Sequence, residues 1–309
     1  MRRALRDARE LPAVVLLVAA ALWLLLSKPS FRSPGNLAVV GQDAGMLGLM
    51  ACGETLVILT GGIDLSVASA LAMSACLCGA LIMAGTPWPA AAIAAIGLGL
   101  LAGWVNGALV TWRRLPPILV TLATLLLFRG ITNILTGAAP YNLLPEAYKA
   151  IGRGGWPMLA LVVVASVLSI GIGRSRFGRH LVASGGNESA ARLSGIGVPS
   201  VLRRAYALSG MLAASAGLLM AAANGNAQWT LADGWELDVI AAVVIGGVRL
   251  TGGQGSVFGA TVGALIIVIL RNALFLSGVP TEQYGLVTGG VIVAAALSER
   301  WRSTAADRR

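Results

Sequence analysis

Long apolar runs recur along this chain, separated by short polar segments. An apolar stretch of about 20 residues can cross the roughly 30 Å hydrocarbon core of a bilayer as a helix. Charged residues make up only 12% of the chain, about half of the ~25% found in soluble domains. The pattern predicts one all-α integral membrane domain over 1–309, with about ten transmembrane helices at 11–27, 37–60, 65–84, 89–112, 118–136, 156–173, 205–223, 237–248, 257–276 and 281–297.

Two of these runs are weaker than the rest. The runs 237–248 and 281–297 are short and interrupted by glycines. Such segments are either full spans or broken, re-entrant helices, and the sequence leaves both alternatives open.

The basic residues are unevenly distributed between the two sets of connecting segments. With ten spans and a cytoplasmic N-terminus, 17 of the 23 basic residues fall in cytoplasmic segments. The outer segments hold four, and Arg129 and Arg271 lie inside apolar runs. Basic residues concentrate on the cytoplasmic side of membrane proteins, so both termini are predicted to be cytoplasmic. The net charge of +10 then reflects orientation in the membrane, and no nucleic-acid partner is expected.

The segment 174–204 is the longest predicted cytoplasmic connection, with six arginines and one glutamate. Asn187 is placed to cap a short helix over 188–194, with Glu188 in its first turn and Gly195 just after its end. Two interpretations stay open: a surface helix that anchors two spans, or a docking element for a cytoplasmic partner.

Several kinds of chemistry lack the residues that they need. The only lysines are Lys28 and Lys149, and neither lies in a GxxxxGK[ST] motif, so ATP hydrolysis by this chain is not expected. Cys52, Cys76 and Cys78 lie in apolar runs and form no CxxC pair. We expect no metal site, no cofactor and no enzymatic activity.

A glycine-rich motif, Gly61-Gly62-Ile63-Asp64-Leu65-Ser66, separates the second and third runs. Glycines permit a tight reversal, and Asp64 or Ser66 can cap the next helix. A similar stretch occurs at 246–251, and each is followed by Gly-Ala-Leu-Ile, at 79–82 and 263–266. The first stretch is typical of a capped turn between helices, and the similarity of the second is compatible with an internal repeat, although both loops fall on the same side in the predicted topology.

Four sequence blocks carry a resemblance to a known family. They read TGGIDLSVASALAMSA (60–75), LLAGWVNGALVTWRRLPPILVTLAT (100–124), SGGNESAARLSGIGV (184–198) and TGGQGSVFGATVGALII (251–267). In this order they resemble the ribose-type sugar permeases of ABC importers, whose family includes branched-chain amino-acid permeases. Ala68 and Arg271 depart from the family pattern, where glycine and a small or amide residue are usual.

The resemblance implies a type II importer permease in the bacterial inner membrane. Its implied partners are a second permease subunit, a cytoplasmic ABC ATPase and a periplasmic sugar-binding protein. It assigns a signature loop to Gly61, Gly62, Asp64, Leu65 and Ser66. It assigns the contact with the ATPase to a second group of residues: Gly186, Asn187, Glu188, Ala191, Arg192 and Gly195.

Polar residues inside the apolar runs are candidates for the translocation pathway or for hydrogen bonds between helices. A charged side chain at mid-bilayer costs roughly 2.5–3.5 kcal/mol on insertion scales, so it normally faces protein or water. Of the two deepest charges, Glu54 and Arg129, we expect an ion pair. The full set of candidates is Gln42, Glu54, Asn106, Arg129, Asn133 and Asn272.

Glycines also recur every four residues, at Gly99-Gly103-Gly107 and Gly255-Gly259-Gly263. Such ladders let helices approach closely, either within one subunit or at a seam between two subunits. The sequence predicts a permease subunit that moves a monosaccharide from the periplasm to the cytoplasm. An ion-coupled secondary transporter and an ABC permease for another small polar solute, such as a branched-chain amino acid, are the alternatives.

Overall fold

The computed structural model describes residues 2–290 and residue 293, and α-helices dominate this part of the chain. Among the described residues, β-type backbone pairing is limited to one isolated bridge between Tyr141 and Ala227. The helices are α1 (Arg2–Ser27), α2 (Pro34–Leu59), α3 (Val67–Met83), α4 (Trp88–Trp112), α5 (Pro117–Thr136), α6 (Glu146–Lys149), α7 (Trp156–Arg174), α8 (Arg176–Gly186), α9 (Glu188–Leu193), α10 (Val198–Asn224), α11 (Trp235–Ile245) and α12 (Val257–Leu276).

Helices occupy the nine predicted runs from 11–27 to 257–276. Within the described residues, six helices are long and apolar enough to cross a membrane: α1 over Glu10–Ser27, α4, α5, α7, α10 and α12. Helix α3 is apolar with 17 residues, and α11 has 11 residues, about 16 Å at 1.5 Å per residue. The run 281–297 extends beyond the described residues, as does the C-terminus, so the ten-span count and the position of the termini stay predictions.

Local sequence signals explain where the long helices begin and end. The hydroxyl of Ser33 accepts a hydrogen bond from the backbone N–H of Asn36 at the start of α2, and Ser256 caps α12 through Gly259. Helices α5 and α10 are followed by Gly137 and Gly225, which are both left-handed, as is usual after a helix end.

Helix α10 lies at the centre of the fold, packed against α2, α3 and α4, and its most extensive contact is with α4. The glycine ladder of α4 makes this close approach possible. A Cβ atom on Gly103 would overlap the carbonyl oxygen of Tyr206, and one on Gly107 would lie 2.7 Å from the Cα atom of Arg203. Gly259 and Gly263 of α12 approach α11 in the same way. Both ladders therefore pack helices within one subunit.

Apolar side chains cover the outer faces of several helices. Leu126 and Ile134 on α5, and Val167 and Ile170 on α7, are largely exposed. Water does not favour such surfaces over whole helices, so these faces are suited to contact lipid or another protein chain in the membrane.

The connections gather at two ends of the bundle. One end, here called the arginine-rich end, carries the loops 60–66, 113–116 and 246–256 and the segment 174–197. The other, here called the opposite end, carries the loops 84–87, 137–155 and 225–234.

Candidate functional site

The signature loop 60–66 is a tight reversal fixed by two glycines. The backbone N–H groups of Gly61 and Gly62 bond to the carbonyls of Ile58 and Val57 at 2.9 and 3.2 Å. Gly61 has φ +83°, and a Cβ atom on Gly62 would lie 2.5 Å from the hydroxyl of Tyr206. A side chain would therefore strain the turn at Gly61 and meet α10 at Gly62.

The loop at 246–256 repeats this turn. Gly247 also has φ +83°, and Gly247 and Val248 bond back to Val244 and Val243 at 2.9 and 3.2 Å. Both turns thus close a helix with the same pattern of hydrogen bonds. The two similar stretches therefore form the same turn at the same end of the bundle.

Two buried carboxyl groups hold the signature loop in place. Glu54 and Asp64 are 0% and 1% exposed. Glu54 Oε1 accepts a hydrogen bond from the backbone N–H of Asp64 at 3.0 Å. Asp64 Oδ1 accepts from both the backbone N–H and the hydroxyl of Ser66, and Ser66 Oγ accepts from Asn106 Nδ2 at 2.7 Å. Burial raises the pKa of Asp64 to about 6, although the hydrogen bonds from Ser66 lower it.

This network corrects the expected cap of the third span. Ser66 precedes α3, but its side chain does not cap the helix. Asp64 instead closes the turn on Ser66, because its carboxylate reaches the N–H two residues ahead. Leu65 is half-buried between these residues.

The predicted ion pair between Glu54 and Arg129 is wrong. Arg129 donates to the carbonyls of Trp229 and Leu231 at 2.6 and 2.9 Å and pairs with Asp233 at 3.5 Å. Glu54 lies near the end of α2 at the arginine-rich end. Arg129 lies 12 residues along α5 from that end, roughly 18 Å away along the helix axis.

The four sequence blocks meet at the arginine-rich end. The N–H of Gly253 bonds to the carbonyl of Leu59 at 3.0 Å. A Cβ atom on Gly185 would overlap the same carbonyl and lie 2.8 Å from the nitrogen of Gly253. A cavity of about 260 Å³ lies between the signature loop, the turn after α4, α9 and the start of α10; its lining includes Gly61, Gly62, Arg114, Pro116, Glu188, Arg192 and Tyr206.

Helix α9 forms as the sequence predicts. Asn187 Oδ1 accepts from the backbone N–H of Ala190 at 2.9 Å, and Gly195 is left-handed with φ +78°. Glu188 and Arg192 form an exposed ion pair one turn apart, at 2.6 Å. Ala191 is buried beneath them, Gly186 borders open space, and Leu193 is 91% exposed. The structure adds α8, which the sequence did not predict.

The remaining pathway candidates fall into different environments. Asn272 forms a reciprocal amide pair with Asn36, at 3.0 and 2.8 Å, so it links α12 to α2. Asn106 belongs to the signature-loop network, and Asn133 is half-buried near the end of α5. Gln42 lines a cavity of about 400 Å³ at the opposite end, here called the α2–loop pocket.

A buried ion pair in the last part of the described chain was not predicted. Arg271 of α12 pairs with Asp238 of α11, whose Oδ1 also accepts from the hydroxyl of Thr288 at 2.8 Å. The guanidinium lies over the ring of Trp235, 5.3 Å from its centre. The sequence did contain an indication of this pair, because Arg271 and Asp238 are charged residues within apolar runs and such residues usually have a partner.

Among the described residues, no group of three or more His, Cys, Asp or Glu side chains is arranged to hold a metal ion. Cys52, Cys76 and Cys78 are free and buried.

Comparisons with known proteins agree with the four-block resemblance. A family model described as "Branched-chain amino acid transport system / permease component" matches residues 37–296. The chain is 40% identical over 282 residues to the ribose import permease of Bacillus subtilis (strain 168), which covers 89% of this chain and 88% of the relative.

Two further relatives have similar coverage. The ribose import permease of Escherichia coli (strain K12) is 38% identical over 293 residues, which is 92% of this chain and 91% of the relative. The autoinducer 2 import system permease of Shigella flexneri is 35% identical over 302 residues, which is 95% and 87%. No solved structure matches the chain. The chain belongs to this family of import-system permeases, which are multi-pass proteins of the bacterial inner membrane.

Proposed function

We propose that this chain is the membrane-spanning subunit of an ABC importer and that it moves a monosaccharide from the periplasm to the cytoplasm. One observation carries the proposal. The four sequence blocks are spread over residues 60–267, and they contact one another at one end of the bundle. The ribose import permeases at 38–40% identity support the sugar. The same relatives argue against an ion-coupled carrier.

The proposal includes the orientation in the membrane. The charge distribution favours ten spans with both termini in the cytoplasm and with the arginine-rich end on the cytoplasmic side. A reporter that is active only in the periplasm should be active when fused after Asn224. The same reporter should be silent when fused after Arg309, and activity there would contradict the ten-span orientation.

The proposal also assigns roles at the arginine-rich end. Helix α9 stands at the surface with Glu188, Arg192 and Leu193 exposed, and the signature loop packs behind it. We assign α9 and the flanking Gly186, Asn187 and Gly195 to contact with a cytoplasmic ATPase, which would hydrolyse ATP. A second permease subunit and a periplasmic sugar-binding protein complete the importer.

Uptake into vesicles tests the function. We expect vesicles that contain this chain, its ATPase and its binding protein to accumulate labelled ribose only when ATP is supplied. A protonophore should have no effect while ATP is maintained, because hydrolysis drives the step. Uptake that follows a proton or sodium gradient without ATP would refute the importer.

The substitution Glu188→Lys tests the docking role in the same vesicles. It replaces the pair with Arg192 by two like charges at the surface of α9. Because the reversed charge removes the electrostatic complementarity of a docking surface, ATP hydrolysis stimulated by ribose-loaded binding protein should fall about tenfold or more. Insertion into the membrane should be unchanged.

The matched control is Glu146→Lys. Glu146 is also an exposed acid in ion pairs, but with Lys149 and Arg153 at the opposite end. This variant should co-purify with the ATPase as the native chain does. A Glu188→Lys complex with native stoichiometry and stimulated hydrolysis would exclude docking through α9.

A further inference from the structure

The α2–loop pocket lies at the opposite end of the bundle from the four sequence blocks. One wall is α2, and the other is formed by the end of α10, the loop 225–234 and the start of α11. Its volume of about 400 Å³ is within the roughly 300–1,000 Å³ of known small-molecule sites. Its lining includes Gln42, Asp43, Asn224, Gln228, Thr230 and Trp235.

Five polar side chains of this lining form no hydrogen bond or ion pair among the residues that the structure describes, although the charge of Arg271 acts on Asp43 from nearby. Gln42, Asp43, Asn224, Gln228 and Thr230 make no side-chain hydrogen bond or ion pair there. Other polar groups in the same half of the fold do have partners, as in Asn36 with Asn272 and Arg129 with the loop carbonyls. Uncommitted polar groups that face one cavity are available to a ligand.

The loop wall of the pocket is fixed at both ends. Tyr141 and Ala227 exchange backbone hydrogen bonds of 2.9 and 3.0 Å, which hold the start of the loop. Arg129 holds its later part through Trp229, Leu231 and Asp233. Because the wall is held before any ligand arrives, less conformational entropy is lost on binding.

The charges of the lining indicate the class of ligand. The lining contains the carboxylate of Asp43 and three amides, but no arginine, lysine or histidine. The nearby Arg271 is committed to Asp238. A phosphate or the carboxylate of an amino acid would therefore lack a cation to pair with. Hydroxyl groups suit this lining, since they donate to carboxylates and both donate to and accept from amides.

We propose that the α2–loop pocket binds one molecule of a neutral monosaccharide, held by Gln42, Asp43 and Gln228, before it crosses the membrane. This inference rests on the proposed function and adds a site and a ligand class to it. The carboxylate of Asp43 accepts hydrogen bonds from sugar hydroxyls. Trp235, whose ring carries the guanidinium of Arg271 on one face, adds apolar surface to the lining.

The test measures the amount of ribose delivered per ATP hydrolysed, in vesicles with the full importer and saturating ribose-loaded binding protein. Asp43→Ala and Gln228→Ala should each lower this ratio about tenfold, since each removes a hydrogen bond to the sugar, and the bond to the charged Asp43 is the stronger. Asp43→Asn keeps an acceptor and should recover part of the loss. Asn142→Ala is the matched control, because Asn142 lies at the same end in a different cavity.

The outcomes separate the site from the function. If native vesicles deliver ribose with ATP but Asp43→Ala and Gln228→Ala match the native ratio, the pocket assignment is overturned and the proposed function stands. If native vesicles deliver no ribose but take up leucine with ATP, a monosaccharide is not the substrate. Both the proposed function and the pocket assignment are then refuted on that point. A loss of delivery in Asn142→Ala equal to that in Asp43→Ala also overturns the assignment.

Discussion

Replacing Gly103 by leucine should prevent the permease from folding to a stable state. A Cβ atom at this position would overlap the carbonyl oxygen of Tyr206 and lie 2.8 Å from its carbonyl carbon and 3.1 Å from the Cα atom of Ala207. These are backbone atoms of α10, so no side-chain rotation relieves the overlap. We expect a loss of about 3 kcal/mol or more, the upper range for overpacking. The readout is the yield of monodisperse protein after extraction in detergent.

Gly97→Leu is the control for this experiment. Gly97 lies on the same helix, six residues earlier, and a Cβ atom there meets nothing within 4 Å. It tests the effect of adding a leucine to α4 without the close contact with α10. Equal yields of the Gly103→Leu variant and the native protein would disprove the packing of α4 against α10.

Substituting Arg271 by glutamine should destabilise the permease, because the buried carboxylate of Asp238 then has no positive partner. Asp238 has a side chain that is 2% exposed, and Arg271 is its ion-pair partner. Breaking a buried ion pair from one side typically costs about 3–5 kcal/mol, because the remaining charge is uncompensated. Thermal unfolding of the purified protein in detergent should therefore begin at a clearly lower temperature.

A double-mutant cycle separates the charge effect from loss of packing. Asp238→Asn combined with Arg271→Gln removes both charges and should recover part of the loss. The recovery is partial because Arg271 also lies over the ring of Trp235. Arg153→Gln, which breaks an exposed pair with Glu146, should leave unfolding unchanged. Additive losses at Asp238 and Arg271 would show that the two side chains do not interact.

The placement of polar residues shows where sequence reasoning stops. Glu54 and Arg129 both stand out as charges in apolar runs, and an apolar run does not reveal which residues on two helices share the same depth. The structure pairs Glu54 with the backbone of Asp64 and Arg129 with the loop 225–234. The same limit applies to Asn272, whose partner Asn36 is 236 residues away in the chain.

Helix α9 shows the opposite case, because its signals are local. An asparagine cap, an acidic first turn and a glycine after the end act within one or two helical turns. The structure has all three, at Asn187, Glu188 and Gly195. Helix α8 was missed because its polar, arginine-rich sequence also fits an irregular cytoplasmic loop.

The sequence by itself determined the positions of the long helices, the glycine turns and the family, since these depend on contiguous residues and short motifs. Only the tertiary structure decided that the glycine ladders pack α4 on α10 and α12 on α11, and that Asp238 and Arg271 form a buried pair. It also decided that Gln42 shares a cavity with Asp43 and Gln228. Such contacts depend on the rotation and depth of each helix against its neighbours, which are set by packing between segments distant in the chain.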